Sequence, residues 1–265
     1  MTRLVTLFLA IFSTSSPALA DGLLKTKNPK ATDSYLTQQI RKNFLSFYGS
    51  SAAPSIDTDG SPVGGYDGNW SWSSPIGIVK NVIGGGDNML GFGFGRYVNR
   101  KVSWEAMLLS SNYGEVKWST SFGAPVETET INESKFSSIA AMIGGNFRVP
   151  VSEKWNVSFG AFIGAARNSV SDVLETYPSL DGAQRTINGN TQTKFAYMLS
   201  SSVAYNLTEN VEISGGIWLL DIGGFTTASY RSYINGSIME NELYAPHQFD
   251  TGLEPVLTFG IKYTF

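Results

Sequence analysis

The chain contains no cysteine, and this absence excludes several classes of protein at once. Without a thiol there can be no disulfide framework, no zinc site of the cysteine type and no lipoprotein anchor. Histidine is almost as scarce, because His247 is the only one. Charged residues make up only 15% of the chain and the formal net charge is −3, so no basic surface points to nucleic acid. We therefore expect no cofactor, no metal ion and no nucleic-acid partner.

Long apolar runs are also missing, except for a short one at the amino terminus. Arg3 precedes an apolar stretch over residues 4 to 12, and Ala18 and Ala20 supply small residues before Asp21. This order is typical of a secretory signal peptide that is cleaved after Ala20, and the stretch is too short to cross a bilayer as a helix. We expect the mature chain to be exported.

The carboxyl-terminal segment alternates strictly between apolar and polar residues, as a β-strand does. One face carries Leu257, Phe259, Ile261, Tyr263 and Phe265, whereas Thr258, Gly260, Lys262 and Thr264 share the other. This segment resembles the last strand of bacterial outer-membrane β-barrels, whose closing aromatic residue is read by the barrel assembly machinery. The resemblance implies that Phe265 is an assembly signal and that this machinery is a partner.

The same alternation predicts six further strands, at residues 88 to 97, 102 to 112, 135 to 149, 155 to 166, 191 to 205 and 211 to 221. Their connections alternate between short turns and long polar loops, the loops covering 113 to 134, 167 to 190 and 222 to 251. Outer-membrane barrels show this asymmetry, with short periplasmic turns and long outer loops. An even strand count requires one more strand before residue 88. Phe44 to Gly49 is the best candidate, and Trp70 to Ile78 is the alternative.

The two faces of these strands differ in a way that favours a membrane barrel over a soluble one. Small residues crowd the polar face, which suits the narrow interior of an eight-stranded barrel. On the apolar face, aromatic residues collect at the short-turn ends and predict a belt at one membrane interface: Trp104, Phe147, Trp155, Tyr205, Tyr263 and Phe265. We expect Trp70, Trp72, Tyr113 and Trp118 at the opposite rim.

Charges of both signs lie on the polar face and predict a charge network inside the lumen. The network consists of Glu105, Arg148, Lys194, Glu212, Glu254 and Lys262. Pairing would offset the cost of removing these charges from water. Lys262 and Glu212 lie near the periplasmic ends of adjacent strands, which makes them candidate partners. Glu105 and Glu254 are the alternatives for Lys262.

We looked for catalytic chemistry around His247. In outer-membrane phospholipases and lipid A deacylases, a histidine lies two residues before a nucleophilic serine. Here the position two residues after His247 is occupied by Phe249, which cannot act as a nucleophile. We therefore interpret His247 as a solvated loop residue and expect that the chain is not an enzyme.

In strand spacing, loop asymmetry and closing strand, the chain resembles small outer-membrane barrels such as the barrel domain of outer-membrane protein A and the opacity adhesins. The resemblance implies an all-β fold, an eight-stranded antiparallel up-and-down transmembrane barrel, monomeric in the outer membrane of a Gram-negative bacterium. We predict a signal peptide at 1–20, a periplasmic linker at 21–42 and the barrel at 43–265. The expected function is a structural or surface-interaction role through long outer loops that meet a host or environmental ligand. A narrow channel for ions or small solutes is the first alternative, and a lipid-modifying enzyme the second.

Overall fold

The computed structural model describes residues 42–50, 62–64, 75–83, 88–122, 128–235, 238–243 and 246–265. The strands are β1 (Asn43–Ser50), β2 (Pro62–Gly64), β3 (Pro75–Ile83), β4 (Asn88–Tyr97), β5 (Val102–Phe122), β6 (Thr128–Pro150), β7 (Trp155–Val170), β8 (Val173–Tyr177), β9 (Ala183–Ile187), β10 (Asn190–Asn206), β11 (Val211–Asp221), β12 (Phe225–Thr226), β13 (Tyr230–Asn235), β14 (Ile238–Leu243), β15 (Gln248–Phe249) and β16 (Glu254–Thr264). One short 3₁₀ turn, Pro178–Leu180, follows β8. Within these ranges no helix has the length and apolar character needed to cross a membrane.

Eight of the strands close into an antiparallel ring in the order β1, β4, β5, β6, β7, β10, β11 and β16, with β16 returning to β1. At the seam, the amide of Asn43 donates to the carbonyl of Phe265, and the amide of Phe265 donates to that of Asn43. A closed ring leaves no strand edge, so every ladder hydrogen bond can be satisfied away from water. The predicted eight-stranded barrel is confirmed. Its first strand is β1, at the position predicted from residues 44 to 49.

Three short turns join ring strands at the periplasmic end, and all three use the same chemistry. The side-chain oxygens of Asn99, Ser152 and Thr208 each accept hydrogen bonds from the backbone amides two and three residues ahead. Asn, Ser and Thr favour such turns because their short side chains can replace a backbone acceptor. These residues therefore hold neighbouring strands in register.

The outer surface of the ring is apolar, as the alternation predicted, and the inner surface combines polar and small side chains with large apolar ones such as Met107, Phe162 and Trp218. Large exposed side chains follow the outward positions, among them Phe92, Ile143, Ile163, Phe195 and Phe259. Along β7 this apolar band runs from Trp155 to Ala165 and ends at Arg167, which is exposed. Lys135 on β6 and Asp221 on β11 also point outward and mark the upper boundary of the band. An apolar exterior on a closed barrel is the surface that lipid covers.

Above this boundary the wall continues as ordered sheet, which corrects the prediction of a long loop at 113 to 134. β5 and β6 have 21 and 23 residues, about twice the 9 to 11 that a tilted strand needs to cross the hydrocarbon. Lys117 and Glu133 are opposite each other in this extension, with Nζ 2.8 Å from Oε2. Hydrogen bonds to Glu133 and Glu115 raise the pKa of Lys117.

Further hairpins widen the extension on both sides. β8 pairs with β6, and β9 pairs with β8; β13 then pairs with β9 and β14 with β13. On the other side, β3 pairs with the outer part of β5. The segment 70 to 78, the alternative first strand, therefore supplies only part of β3, which does not belong to the ring. The loops predicted at 167 to 190 and 222 to 251 likewise contain strands.

Candidate functional site

The periplasmic end of the lumen is closed by an ion cluster, which consists of Arg148, Glu212 and Lys262. Arg148 forms an ion pair with Glu212, and Lys262 Nζ lies 3.7 Å from the other carboxylate oxygen. Arg148 and Glu212 are buried, with 4% and 7% exposure. The guanidinium lies over the ring of Tyr97 and the ammonium over that of Phe44, so aromatic faces support both cations. This end of the barrel is filled by side chains.

A polar network centred on Glu105 lies above the ion cluster. Its carboxylate accepts hydrogen bonds from Ser46 Oγ, from Tyr48 at 2.9 Å and from Asn146 Nδ2 at 3.0 Å, and the side chain is fully buried. Gly93 makes room for this network, because a Cβ there would overlap Glu105 and Ser46. A neighbouring cavity of about 30 Å³ is lined both by serine, threonine and asparagine side chains and by apolar ones such as Met107 and Trp218. That volume holds about one water molecule.

The outer half of the lumen is filled by part of the last loop, which folds inward. We call the segments 225–227 and 247–249 the plug. Phe225 and Phe249 pair across β12 and β15, and both are about 98% buried. Their rings make edge contacts with Phe136 at 5.2 and 5.0 Å, and with Tyr113 and Trp118 respectively. The mouth of the barrel is therefore closed by an apolar core.

Buried hydrogen bonds hold the plug to the wall. Asn168 Nδ2 donates to the carbonyls of Ile222 and Gly224, and Thr251 Oγ1 accepts from the Gly224 amide. Asn168 is itself oriented by Ser138, whose hydroxyl donates to Oδ1. These bonds satisfy backbone groups that would be costly to leave unpaired in a dry interior.

His247 is part of the plug, which corrects its interpretation as a solvated residue. Its side chain is fully buried, and Nδ1 accepts a hydrogen bond of 3.1 Å from Trp118 Nε1. Its backbone amide donates to Thr227 Oγ1, and its carbonyl accepts from the Thr227 amide. The sequence interpretation failed because it assumed that a polar loop stays in solvent.

Tyr113 and Trp118 were predicted at the outer lipid-facing rim, and the structure places both inside instead. A bulge in β5 between Asn112 and Gly114 shifts the register, and Gly114 has a φ of 64°. Beyond it, even-numbered residues such as Trp118 face inward. A bulge inserts one extra residue and so reverses the alternation. Trp70 and Trp72 lie outside the described residues.

The remaining predicted residues fall into three groups. The residues of the periplasmic aromatic belt all point outward at the lower end of the ring. The ring of Trp155 packs on that of Tyr205, with centroids 4.8 Å apart, and Tyr263 stacks on Phe265. Trp104 and Phe147 are exposed on the same surface. Lys194 faces inward near Gly223 at the plug, far from the ion cluster, and the backbone of Glu254 pairs with Leu220 at the outer end. Ala18 and Ala20, with the predicted signal peptide and linker up to residue 41, lie outside the described residues.

Sequence reasoning did not single out the plug residues, although a signal was present. Phe225 and Phe249 are the two phenylalanines of a long outer loop, and Phe225 follows Gly223 and Gly224. Apolar residues in a long outer loop indicate a segment that buries itself, since few such side chains remain exposed without a function. Asn168 gave no such signal, because inward and outward asparagines look alike in sequence.

Comparisons with known proteins give structural similarities at low sequence identity. No protein-family model matches the chain, and no curated protein matches its sequence. The outer membrane protein OprG from Pseudomonas aeruginosa is similar at a TM-score of 0.46 and 13% identity, covering 86% of this chain and 97% of that one. The attachment invasion locus protein Ail of Yersinia pestis gives 0.39 and 12%, covering 85% and 99%. Neisserial surface protein A gives 0.44 and 12%, covering 84% and 97%.

These similarities are weak, with TM-scores below 0.5, and they assign no role to this chain. Its own closed ring, apolar exterior and periplasmic turns are the features of an outer-membrane β-barrel. The chain therefore has the fold of an outer-membrane barrel that is embedded in lipid.

Proposed function

We propose that this barrel is a sealed scaffold that presents its outer sheet at the cell surface, in a structural or adhesin-like role. One observation carries the proposal: the lumen is closed twice, by the ion cluster at the periplasmic end and by the plug at the outer mouth. A solute on either side meets packed side chains. A cavity of about 30 Å³ lies beside the ion cluster, and it has room for about one water.

The wall above the membrane supports a surface role. It is built from paired strands rather than from long irregular loops, and it joins six further strands to β5 and β6. Ordered sheet holds its outward side chains in fixed positions, so a ligand can bind without first ordering a loop. Exposed apolar residues there include Ile131 on β6 and Leu174 on the neighbouring strand β8. We propose a host or environmental partner for this surface.

A narrow channel is the second candidate, and the polar side chains inside the lumen favour it. Serine, threonine and asparagine side chains line part of the cavity beside the ion cluster. Conduction would require both the ion cluster and the plug to move. Two closures in series make this the weaker proposal.

We further propose that the protein is not an enzyme. His247 Nδ1 is already occupied by the Trp118 N–H, and the imidazole lies in a fully buried position that an external substrate does not reach. The barrel assembly machinery is the proposed partner during insertion, with Phe265 as its signal. We propose a monomer in the membrane.

Conductance of the refolded full chain in planar bilayers tests the sealed scaffold. We expect no discrete openings at neutral pH, and a variant carrying both Phe225→Ser and Phe249→Ser serves as the unplugged comparison. Steady unitary currents from the unchanged protein would favour the channel. The surface role is tested by binding of the protein in lipid nanodiscs to candidate cells, compared with a variant in which a short turn replaces residues 173–187.

A further inference from the structure

The imidazole of His247 is a hydrogen-bond acceptor in a dry interior. The indole N–H of Trp118 can only donate, so Nδ1 must be unprotonated while the 3.1 Å bond exists. The Trp118 side chain is 99% buried and His247 is fully buried. The bond therefore depends on the neutral form of the histidine.

The surroundings of His247 are mainly aromatic. Trp118 and Phe249 contact the imidazole edge-on, with centroids 5.7 and 6.4 Å away. Among the described side chains, the ionisable groups that the packed strands and their neighbours turn toward this end are Tyr113, Glu175, Tyr177, Arg185, Lys194 and Asp250. Glu175 receives a hydrogen bond from Tyr177, and Arg185 lies over the Tyr177 ring, so these three groups interact with one another.

Two glycines lead from the end of β11 into the plug. Gly223 and Gly224 both have left-handed backbone angles, with φ of 78° and 73°. Only glycine adopts this conformation freely, so this pair lets the chain turn from β11 into the lumen. The turn is held by Asp221, whose Oδ1 accepts from the Gly223 amide at 2.7 Å, and by Asn168, whose Nδ2 donates to the carbonyls on either side.

We propose that His247 is an acid-sensitive latch on the outer mouth. Protonation of Nδ1 removes the acceptor of the buried Trp118 hydrogen bond, so acid loosens the contact between the plug and β5. Acid then exposes segments 225–227 and 247–249 to water. The latch goes beyond the sealed scaffold, because it concerns movement of the plug and not what the outer sheet binds.

The direction and size of the effect follow from linkage between protonation and opening. The closed mouth takes no proton on Nδ1, whereas a water-exposed imidazole titrates near pH of about 6.5. Acid therefore shifts the equilibrium toward the open form. Well above a pH of about 6.5 the imidazole is neutral in both forms, and protonation no longer opposes the closed form. Between pH 7.5 and pH 5 the open-to-closed ratio rises by up to roughly 30-fold.

Hydrogen–deuterium exchange of the full chain in lipid nanodiscs tests the latch without measuring conductance. After correction for the intrinsic rates, amides at 225–228 and 247–249 should exchange up to roughly 30-fold faster at pH 5 than at pH 7.5. Amides of β7 between residues 157 and 163 report general loosening and should show no such change. A failed latch would leave the conductance result intact, so the two proposals can fail separately.

Two variants separate the imidazole from general acid effects. His247→Asn keeps an acceptor oxygen near the Nδ1 position and cannot titrate, so its plug should exchange equally at both pH values. Trp118→Phe keeps the ring but removes the donor, which should raise exchange at pH 7.5 and reduce the pH ratio. His247→Gln replaces the first variant if that protein does not assemble. A wild-type ratio near one, or an undiminished ratio in the non-titrating variant, would overturn the latch.

Discussion

Arg148 and Glu212 form a buried ion pair across the lumen, although their strands, β6 and β11, are three apart in the ring. Lys262 approaches the same carboxylate from β16, the strand next to β11. One carboxylate therefore connects opposite walls of the barrel. Because a buried charge without a partner is expensive, the three residues should behave as one unit.

The first prediction concerns the ranking within the ion cluster. Arg148→Met should destabilise the barrel by about 3 to 5 kcal/mol, because Glu212 loses its nearer partner. Double-mutant cycles from denaturant titrations in lipid vesicles should give a larger coupling for Arg148–Glu212 than for Lys262–Glu212. Lys262 and Glu105 form the control pair, with coupling near zero, since neutral donors hold Glu105. Couplings near zero in all three cycles would mean that water in the lumen screens these charges.

The second prediction compares two glycines on adjacent ring strands. Gly93→Ala should cost about 1 to 3 kcal/mol, because its Cβ would overlap Glu105 and Ser46 in a packed lumen. Gly49→Ala is the matched control, since its Cβ would meet only Leu90, at 4.0 Å. Both variants are measured by the same vesicle refolding titration. A larger loss at Gly49 would contradict the packing described for the lumen.

The third prediction tests the assignment of the faces. Ile261 is 55% exposed on the lipid side, whereas Thr258 is 4% exposed on the lumen side. Ile261→Arg should therefore destabilise the protein by up to about 2 to 4 kcal/mol, with a smaller value close to the interface. Thr258→Ser changes little by comparison. If Thr258→Ser lowered the refolding yield more than Ile261→Arg, the lipid-facing and lumen-facing sides of the strand would have been assigned the wrong way round.

The fourth prediction concerns the seam. Deleting Phe265 removes the residue whose backbone exchanges two hydrogen bonds with Asn43, as well as the closing aromatic ring. We expect a loss of folded barrel in membranes well beyond that caused by deleting Ser179, which lies in the exposed turn after β8. Heat-modifiable mobility on gels measures the folded fraction of each. Similar yields for both deletions would mean that Phe265 does not act as an assembly signal.

Period-2 alternation was enough to identify the ring, because one face of every spanning strand must be apolar where it meets lipid. The same rule placed Glu212 and Lys262 on one face at one end, and the structure pairs them in register. Alternation could not follow β5 past Gly114, since a single bulge exchanges the two faces. It also could not find the plug. Phe225 and His247 are held by contacts with residues more than 80 positions away, such as Tyr113 and Trp118, and no local pattern records those.

The apolar band on β7 runs from Trp155 to Ala165 and stops at Arg167. With a rise of about 3.3 Å per residue and a tilt of about 40°, this length corresponds to a hydrophobic thickness of roughly 25 Å. Such a barrel is shorter than an average hydrocarbon core of about 30 Å. The bacterial outer membrane is itself thinner than this average, so it matches the barrel without having to deform. Short-chain lipids should therefore accept the protein more readily than long-chain ones.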